Sequence, residues 1–141
     1  MTRVWFNKTF SSIHIALRLI REMDKYGRYE VICSSTNCHA ISRLSADQFF
    51  VEPSSLSPDE YREWCLTFAK DNKIQIYIPG KEAALLIGDK ERFAQIGTRI
   101  LGAASPEALD ILHDKARFYA EMASSIAPPA KWRQIDTAAD F

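Results

Sequence analysis

The chain has 141 residues, of which 47% are hydrophobic and 26% charged, so it is long enough to bury the core of one globular domain. Its 18 basic and 18 acidic residues balance, which gives no general electrostatic attraction to nucleic acid or to an anionic membrane. No run approaches the roughly 20 apolar residues of a membrane-spanning helix, and the N-terminus lacks the apolar segment of a signal peptide. We therefore expect a cytoplasmic protein whose partners include neither nucleic acid nor membrane.

The first half of the chain alternates strand-like runs with amphipathic stretches, which is typical of an α/β fold. In chain order the predicted elements are a strand at 3–6, a helix capped by Ser11 or Ser12, strands at 29–33 and 49–51, and a helix from Ser57 to about Asn72. The start of this last helix is the clearest signal, because the cap residue Ser57 precedes Pro58 at the first helical position.

The second half continues the same alternation. Its predicted elements are a strand at 74–78, helical pieces at 81–86 and from Asp89, a strand at 98–102, and a helix opened by Ser105-Pro106. Strands joined by helical crossovers are parallel and right-handed. The sequence thus predicts a Rossmann-like three-layer fold over residues 1–126, with about five parallel strands in the order 3-2-1-4-5. Residues 127–141 would be a tail or the start of a further module.

Three cysteines, Cys33, Cys38 and Cys65, are an odd number in a chain without secretory features, so we expect free thiols. Cys33, Cys38 and His39 could form half of a metal site. A structural zinc needs four ligands, however, and no second Cys/His pair has a suitable spacing. The sequence therefore predicts no metal bound by this chain.

In a sheet of the predicted order, ligands bind at the carboxyl ends of the strands near the point where the strand order reverses. That point lies between the first and fourth strands, at loops 7–12 and 79–82. The first loop contains no glycine, so the dinucleotide motif is absent, and so is the Walker-type phosphate loop.

The side chains of these loops leave two interpretations open. The hydroxyls of Thr9, Ser11 and Ser12 are either helix caps or contacts to a small anion. Glu82 is either an ordinary acid of a first helical turn or a carboxylate that accepts hydrogen bonds from a ligand.

Several weak motifs together resemble, in order and spacing, the N-terminal part of ATP-grasp enzymes, which include biotin carboxylase and carbamoyl phosphate synthetase. They are Ala46-Asp47 before the third strand, the fourth strand with Pro79-Gly-Lys-Glu82 after it, Phe93–Gly97, and Asp114-Lys115 at the start of a helix. The first loop departs from many members of the superfamily because it lacks their glycines.

The resemblance implies a pre-ATP-grasp domain, the substrate-side part of an ATP-dependent carboxylate-amine or carboxylate-thiol ligase that uses ATP and Mg²⁺. It implies a small-molecule carboxylate as substrate and a separate ATP-grasp module, absent from this chain, which we expect to be a fragment that is inactive alone. It also implies a set of contacts: Asn7, Thr9, Ser11, Ser12 and Glu82 to substrate, and Lys115 to a phosphate of ATP.

Alternatives remain at two levels. Asp114 could compensate Lys115 locally as a helix cap, without any nucleotide. The whole chain could instead be a non-enzymatic Rossmann-like module that binds a small ligand or a protein, because a fold alone does not determine function. The apolar tail residues Trp132, Ile135 and Phe141 also predict self-association, and so a possible homo-oligomer.

Overall fold

The computed structural model describes residues 1–7, 12–102, 104–131 and 133. Within these ranges the strands are β1 (Thr2–Asn7), β2 (Tyr29–Ser35), β3 (Gln48–Val51), β4 (Ile76–Pro79) and β5 (Arg99–Ile100). The helices are α1 (Ile13–Met23), α2 (Pro58–Asp71), α3 (Ala83–Ile87), α4 (Lys90–Gln95), α5 (Pro106–His113) and α6 (Lys115–Met122), with a 3₁₀ turn at Ile41–Leu44.

The five strands form one parallel sheet in the order β3-β2-β1-β4-β5, which confirms the predicted order. Val4 of the central strand β1 lies between Val31 of β2 and Ile76 of β4. The crossovers place α1 on one face of the sheet and α2, α3 and α4 on the other. The α/β prediction of helices on both faces is therefore confirmed.

Two predicted strands are shorter in the structure, for related reasons. Ile74 belongs to the turn that follows α2 and not to β4, since its amide donates to the carbonyl of Ala69 at 2.9 Å. The hydroxyl of Thr98 donates to the Ile74 carbonyl at 2.7 Å, and its amide donates to Phe93. Both residues thus bond outside the ladder between β4 and β5, and β5 keeps only Arg99–Ile100.

The start of α2 follows the prediction. The Ser57 hydroxyl accepts from the Glu60 amide, and the Glu60 carboxylate accepts from the Ser57 amide at 2.8 Å, with Pro58 at the first helical position. This reciprocal capping satisfies two backbone donors that a helix start would otherwise leave unpaired. It fixes where the crossover from β3 to β4 becomes helical.

The face of the sheet under α2, α3 and α4 carries the larger, aromatic core. Trp5 is completely buried, stacks on Tyr77 with ring centroids 4.0 Å apart, and lies 4.6 Å from the ring of Phe68. Rings of this kind bury large apolar areas and dominate the stability of a small core. β1 and β4 are held together through this cluster.

The opposite face has a smaller core beneath α1. Leu17 of α1 is completely buried against Val4, Phe6, Val31 and Cys33. Burial raises the pKa of the Cys33 thiol to about 12, so it stays protonated at neutral pH. All three cysteines are free thiols, with Cys33 and Cys65 buried and Cys38 exposed. Among the described residues, no helix has the length and apolar character needed to cross a membrane.

Candidate functional site

The strand order reverses between β1 and β4, and the carboxyl ends of these two strands carry the centre of the candidate site. Asn7 ends β1 and is completely buried. Its Oδ1 accepts from the amide of Gly80 at 3.1 Å, and its Nδ2 donates to the Tyr61 hydroxyl at 2.7 Å. The Asn7 side chain therefore joins the end of β1 to the loop after β4 and to α2.

Tyr61 and Glu52 extend this network across the edge of the sheet. Tyr61 accepts from Asn7 and donates to Oε2 of Glu52 at 2.7 Å, and both side chains are only 3% exposed. Burial raises the pKa of Tyr61, and the nearby Cys65 and Glu52 raise it further. The phenol thus stays a donor, and a continuous chain of hydrogen bonds runs from Gly80 through Asn7 and Tyr61 to Glu52.

Sequence analysis missed Glu52 and Tyr61. A signal for Glu52 was present, since it directly follows β3 as Asn7 ends β1, and the carboxyl ends of parallel strands meet at one edge. Tyr61 gave no such signal, because its role depends on how α2 packs over β1. Asn7 was predicted as a substrate contact, and its hydrogen bond from the Gly80 amide gives it a part in positioning the β4–α3 loop.

An apolar cleft of about 280 Å³ lies directly at the switch point. It is lined by Phe6, Ser12, Ile13, Ala16, Ile78, Pro79 and Gly80. Ser12 occupies the N-cap position of α1, one of the two predicted, but its side chain makes no capping hydrogen bond. Its exposed hydroxyl lies instead at the rim of this cleft.

Glu82 lines a different, more polar cleft of about 380 Å³, between the β4–α3 loop and α5. Lys81, Asp110 and His113 supply the other charged or titratable side chains of this cleft. Glu82 precedes α3 without capping it through its side chain. Ser12 and Glu82 thus line separate clefts, to which the loop Pro79–Glu82 contributes successive residues: Pro79 and Gly80 to the first, Lys81 and Glu82 to the second.

Three predicted site residues remain, namely Thr9, Ser11 and Lys115. Thr9 and Ser11, like the tail residues Trp132, Ile135 and Phe141, lie outside the described residues. Lys115 is exposed at the first position of α6 and lines neither cleft.

The start of α6 offers a test of the phosphate prediction. Oδ1 of Asp114 accepts from the amides of Ala116 at 3.0 Å and Arg117 at 3.2 Å, so Asp114 caps this helix as the local interpretation predicts. The carboxylate already satisfies two donors that an anion could otherwise use. A phosphate at this position would therefore contact the ammonium group of Lys115, and not the amides at the start of α6.

A bound metal ion would need a cluster of ligand side chains. Across residues 1–7, 12–102, 104–131 and 133, no group of three or more His, Cys, Asp and Glu side chains could hold a metal ion. Magnesium needs several oxygen ligands around it. The described residues therefore do not fit a magnesium site.

No protein-family model matches the chain, and no curated protein matches it either. Solved structures do match. One is the biotin carboxylase domain dimer of the Hydrogenobacter thermophilus 2-oxoglutarate carboxylase, in complex with MgADP, ADP and bicarbonate, with 15% identity and a TM-score of 0.56. This match covers 86% of the chain and 26% of the other.

Two further matches are synthetases. N5-carboxyaminoimidazole ribonucleotide synthetase from Thermotoga maritima has 12% identity and a TM-score of 0.56 over 99% of this chain and 35% of that one. N5-carboxyaminoimidazole synthetase from Staphylococcus aureus, complexed with ADP, has 14% identity and a TM-score of 0.56. This match covers 87% of this chain and 30% of the synthetase. The chain therefore shares its fold with part of each of these carboxylase and synthetase structures, as the resemblance predicts. The chain spans about a third or less of the length of these proteins.

Proposed function

We propose that the chain is the substrate-side domain of an ATP-dependent ligase of the ATP-grasp superfamily. The observation that carries the proposal is the shared fold, which covers 86% to 99% of the chain in matches to ADP-bound and other carboxylases and synthetases. The complete reaction would phosphorylate a carboxylate with ATP to give an acyl phosphate and ADP, and an amine or thiol would then take the acyl group and release phosphate. We assign residues 1–126 to this domain and residues 127–141 to the start of the neighbouring module, and we place the protein in the cytoplasm.

The substrate carboxylate is assigned to the switch-point cleft. Its walls are apolar, with the hydroxyl of Ser12 at the rim and the Gly80 loop on the other side. Thr9 and Ser11 precede Ser12 in the loop after β1 and complete the proposed contacts. Asn7 would act through Gly80, since its side chain holds the amide of that residue at 3.1 Å.

Glu82 is assigned to the nucleophile and not to the carboxylate. A carboxylate oxygen accepts hydrogen bonds and repels a second carboxylate, whereas it attracts an amine. The polar cleft with Glu82 and Asp110 and the switch-point cleft are lined by successive residues of the same loop. An amine bound there would lie beside the activated carboxylate.

ATP and magnesium are assigned to the ATP-grasp module, because transfer of a phosphoryl group needs several cations around the phosphates. In this chain Lys115 alone is proposed as a contact to nucleotide. It would add a charge-assisted hydrogen bond from the exposed start of α6.

The carboxylate site can be tested by two-dimensional NMR of the chain titrated with bicarbonate and with acetate. We expect the amide signals of Ser12 and Gly80 to shift with millimolar affinity, and Ser12→Ala to weaken this binding. Ser55→Ala is the matched control, since Ser55 is an exposed serine remote from the start of α1 in the sequence. The proposed site would be contradicted if only amide signals of other residues shifted, or if Ser12→Ala bound the two anions as well as the parent chain. Either result would favour a non-enzymatic module.

A further inference from the structure

The polar cleft beside the β4–α3 loop carries groups of both charge types on each of its two walls. The loop wall supplies Lys81 and Glu82, and the α5 wall supplies Asp110 and His113. Each wall thus contributes one carboxylate and one nitrogen group. A carboxylate accepts hydrogen bonds, whereas a lysine ammonium group donates them and an imidazole ring donates through at least one N–H. The cleft therefore offers partners to a cationic group and to an anionic group of the same ligand.

The fold anchors both walls of this cleft. Asp110 and His113 are three residues apart on α5, so they lie on the same side of this helix. Leu109, next to Asp110, is buried, and α5 packs against α3. On the other wall, the hydrogen bond from the Gly80 amide to Asn7 holds the start of the loop. The four polar groups therefore belong to two walls whose positions the fold determines.

A ligand with a single charge would match only half of these groups. An amine alone would pair with the carboxylates of Glu82 and Asp110 and would lie close to the like charge of Lys81. A carboxylate alone would be repelled by the two acids. A small amino acid carries an ammonium group and a carboxylate on one carbon, so it matches both kinds of group. Ala84 and Leu85 add a limited apolar surface to the lining, which fits a short aliphatic side chain.

We infer that this cleft binds a small amino acid, with its ammonium group toward Glu82 and Asp110 and its carboxylate toward Lys81 and His113. The volume of about 380 Å³ lies near the lower end of small-molecule sites, which suits a ligand of this size. The binding itself depends only on the groups that line the cleft.

The role of the bound amino acid rests on the proposed function, in which it is the amine that attacks the acyl phosphate. Its nitrogen forms a C–N bond to the acyl carbon, the C–O bond to the phosphate breaks, and phosphate leaves. The ammonium group gives up two protons to water in the course of this step. The product is an amide that still carries the carboxylate of the amino acid.

A matched set of three ligands tests the inference by two-dimensional NMR of the full 141-residue chain. Alanine carries both charges, ethylamine lacks its carboxylate, and propionate lacks its amino group. We expect alanine to shift the amide signals of Glu82, Asp110 and His113 and to bind there at least about tenfold more tightly than either singly charged ligand. Propionate belongs to the switch-point cleft instead, where the signals of Ser12 and Gly80 should respond.

Two substitutions separate the contributions of the two charges. Lys81→Met keeps the aliphatic stem and should weaken alanine binding about fivefold, while ethylamine binding stays unchanged. Glu82→Gln should weaken the binding of both alanine and ethylamine. Lys70→Met, at an exposed lysine of α2, is the control and should change neither affinity.

The inference is overturned if ethylamine binds as tightly as alanine, if Lys81→Met binds alanine like the parent chain, or if alanine shifts no signal of the polar cleft. The first of these results would leave an amine site in place, and with it the proposed function. Alanine binding in the polar cleft of a chain whose Ser12 and Gly80 signals do not respond to propionate would support the inference and contradict the proposed carboxylate site.

Discussion

At the scale of single residues, the hydrogen bonds of Asn7, Tyr61 and Glu52 explain how polar groups are tolerated under the carboxyl edge of the sheet. Asn7 donates to the Tyr61 hydroxyl and Tyr61 donates to Glu52, each at 2.7 Å, so these buried polar groups are paired with one another. A buried polar group that loses its partner is costly, which makes this network sensitive to small changes.

Replacing Tyr61 by phenylalanine tests this network. The change removes both the acceptor for Asn7 Nδ2 and the donor to Glu52, and we expect the free energy of unfolding to fall by about 1 to 3 kcal/mol. Urea unfolding measures the loss. Tyr26→Phe is the control, because Tyr26 is 83% exposed and its change should stay within about 0.5 kcal/mol. Equal effects of the two substitutions would show that the network contributes nothing.

Lys115 is the residue that separates nucleotide binding from ordinary helix chemistry. If it contacts a phosphate, Lys115→Ala and Lys115→Met in the complete enzyme should each weaken Mg-ATP binding about tenfold or more, since a charge-assisted bond is worth roughly 1.5 to 3 kcal/mol. Calorimetry measures the affinity, and Lys25→Met is a control at another exposed lysine. Unchanged affinity would leave Asp114 as the full account of this helix start.

At the scale of elements, two glycines next to short helices differ in backbone conformation but not in the space around them. Gly97, after α4, has a φ of +82°, while Gly88, after α3, has the φ of an ordinary helical residue, −58°. A Cβ at either position would meet nothing within 4 Å. The two sites therefore differ in backbone strain and not in space.

We expect opposite effects from the same substitution at these two glycines. Gly97→Ala should destabilise the fold by about 1 to 2 kcal/mol, because L-residues with side chains disfavour the left-handed region. Gly88→Ala should stabilise it by about 0.4 to 1 kcal/mol, because it restricts the unfolded chain. Thermal or urea unfolding decides the matter, and a stabilising Gly97→Ala would contradict the turn after α4.

The elements also show what the sequence could predict and what it could not. The runs of β-branched and aromatic residues and the Ser-Pro helix start at Ser57 are local signals, so strand order and α2 followed from them. The limits of β5 depend on Thr98 bonding to Ile74 across the chain, and the partners of Asn7 depend on the packing of α2. Such tertiary contacts leave no local periodicity to detect.

At the scale of the whole molecule, the strand order predicts where the site lies more firmly than it predicts which residues bind. The switch point between β1 and β4 was found at the predicted place, with Ser12 and Gly80 lining one cleft. Glu82 was predicted for the same site and lines the adjacent cleft instead, because α5 packs beside α3 and closes a second space. Which cleft a given side chain lines depends on how the helices pack, and the sequence did not reveal this packing.

We propose that this chain supplies the substrate side of an ATP-dependent ligase whose nucleotide site lies in another module. The most direct measurement is carboxylate-dependent release of ADP from Mg-ATP by the chain alone, by the proposed ATP-grasp module alone, and by the two together. We expect turnover only when both are present with a carboxylate. Turnover by this chain alone, or turnover by the module that is indifferent to this chain, would contradict it.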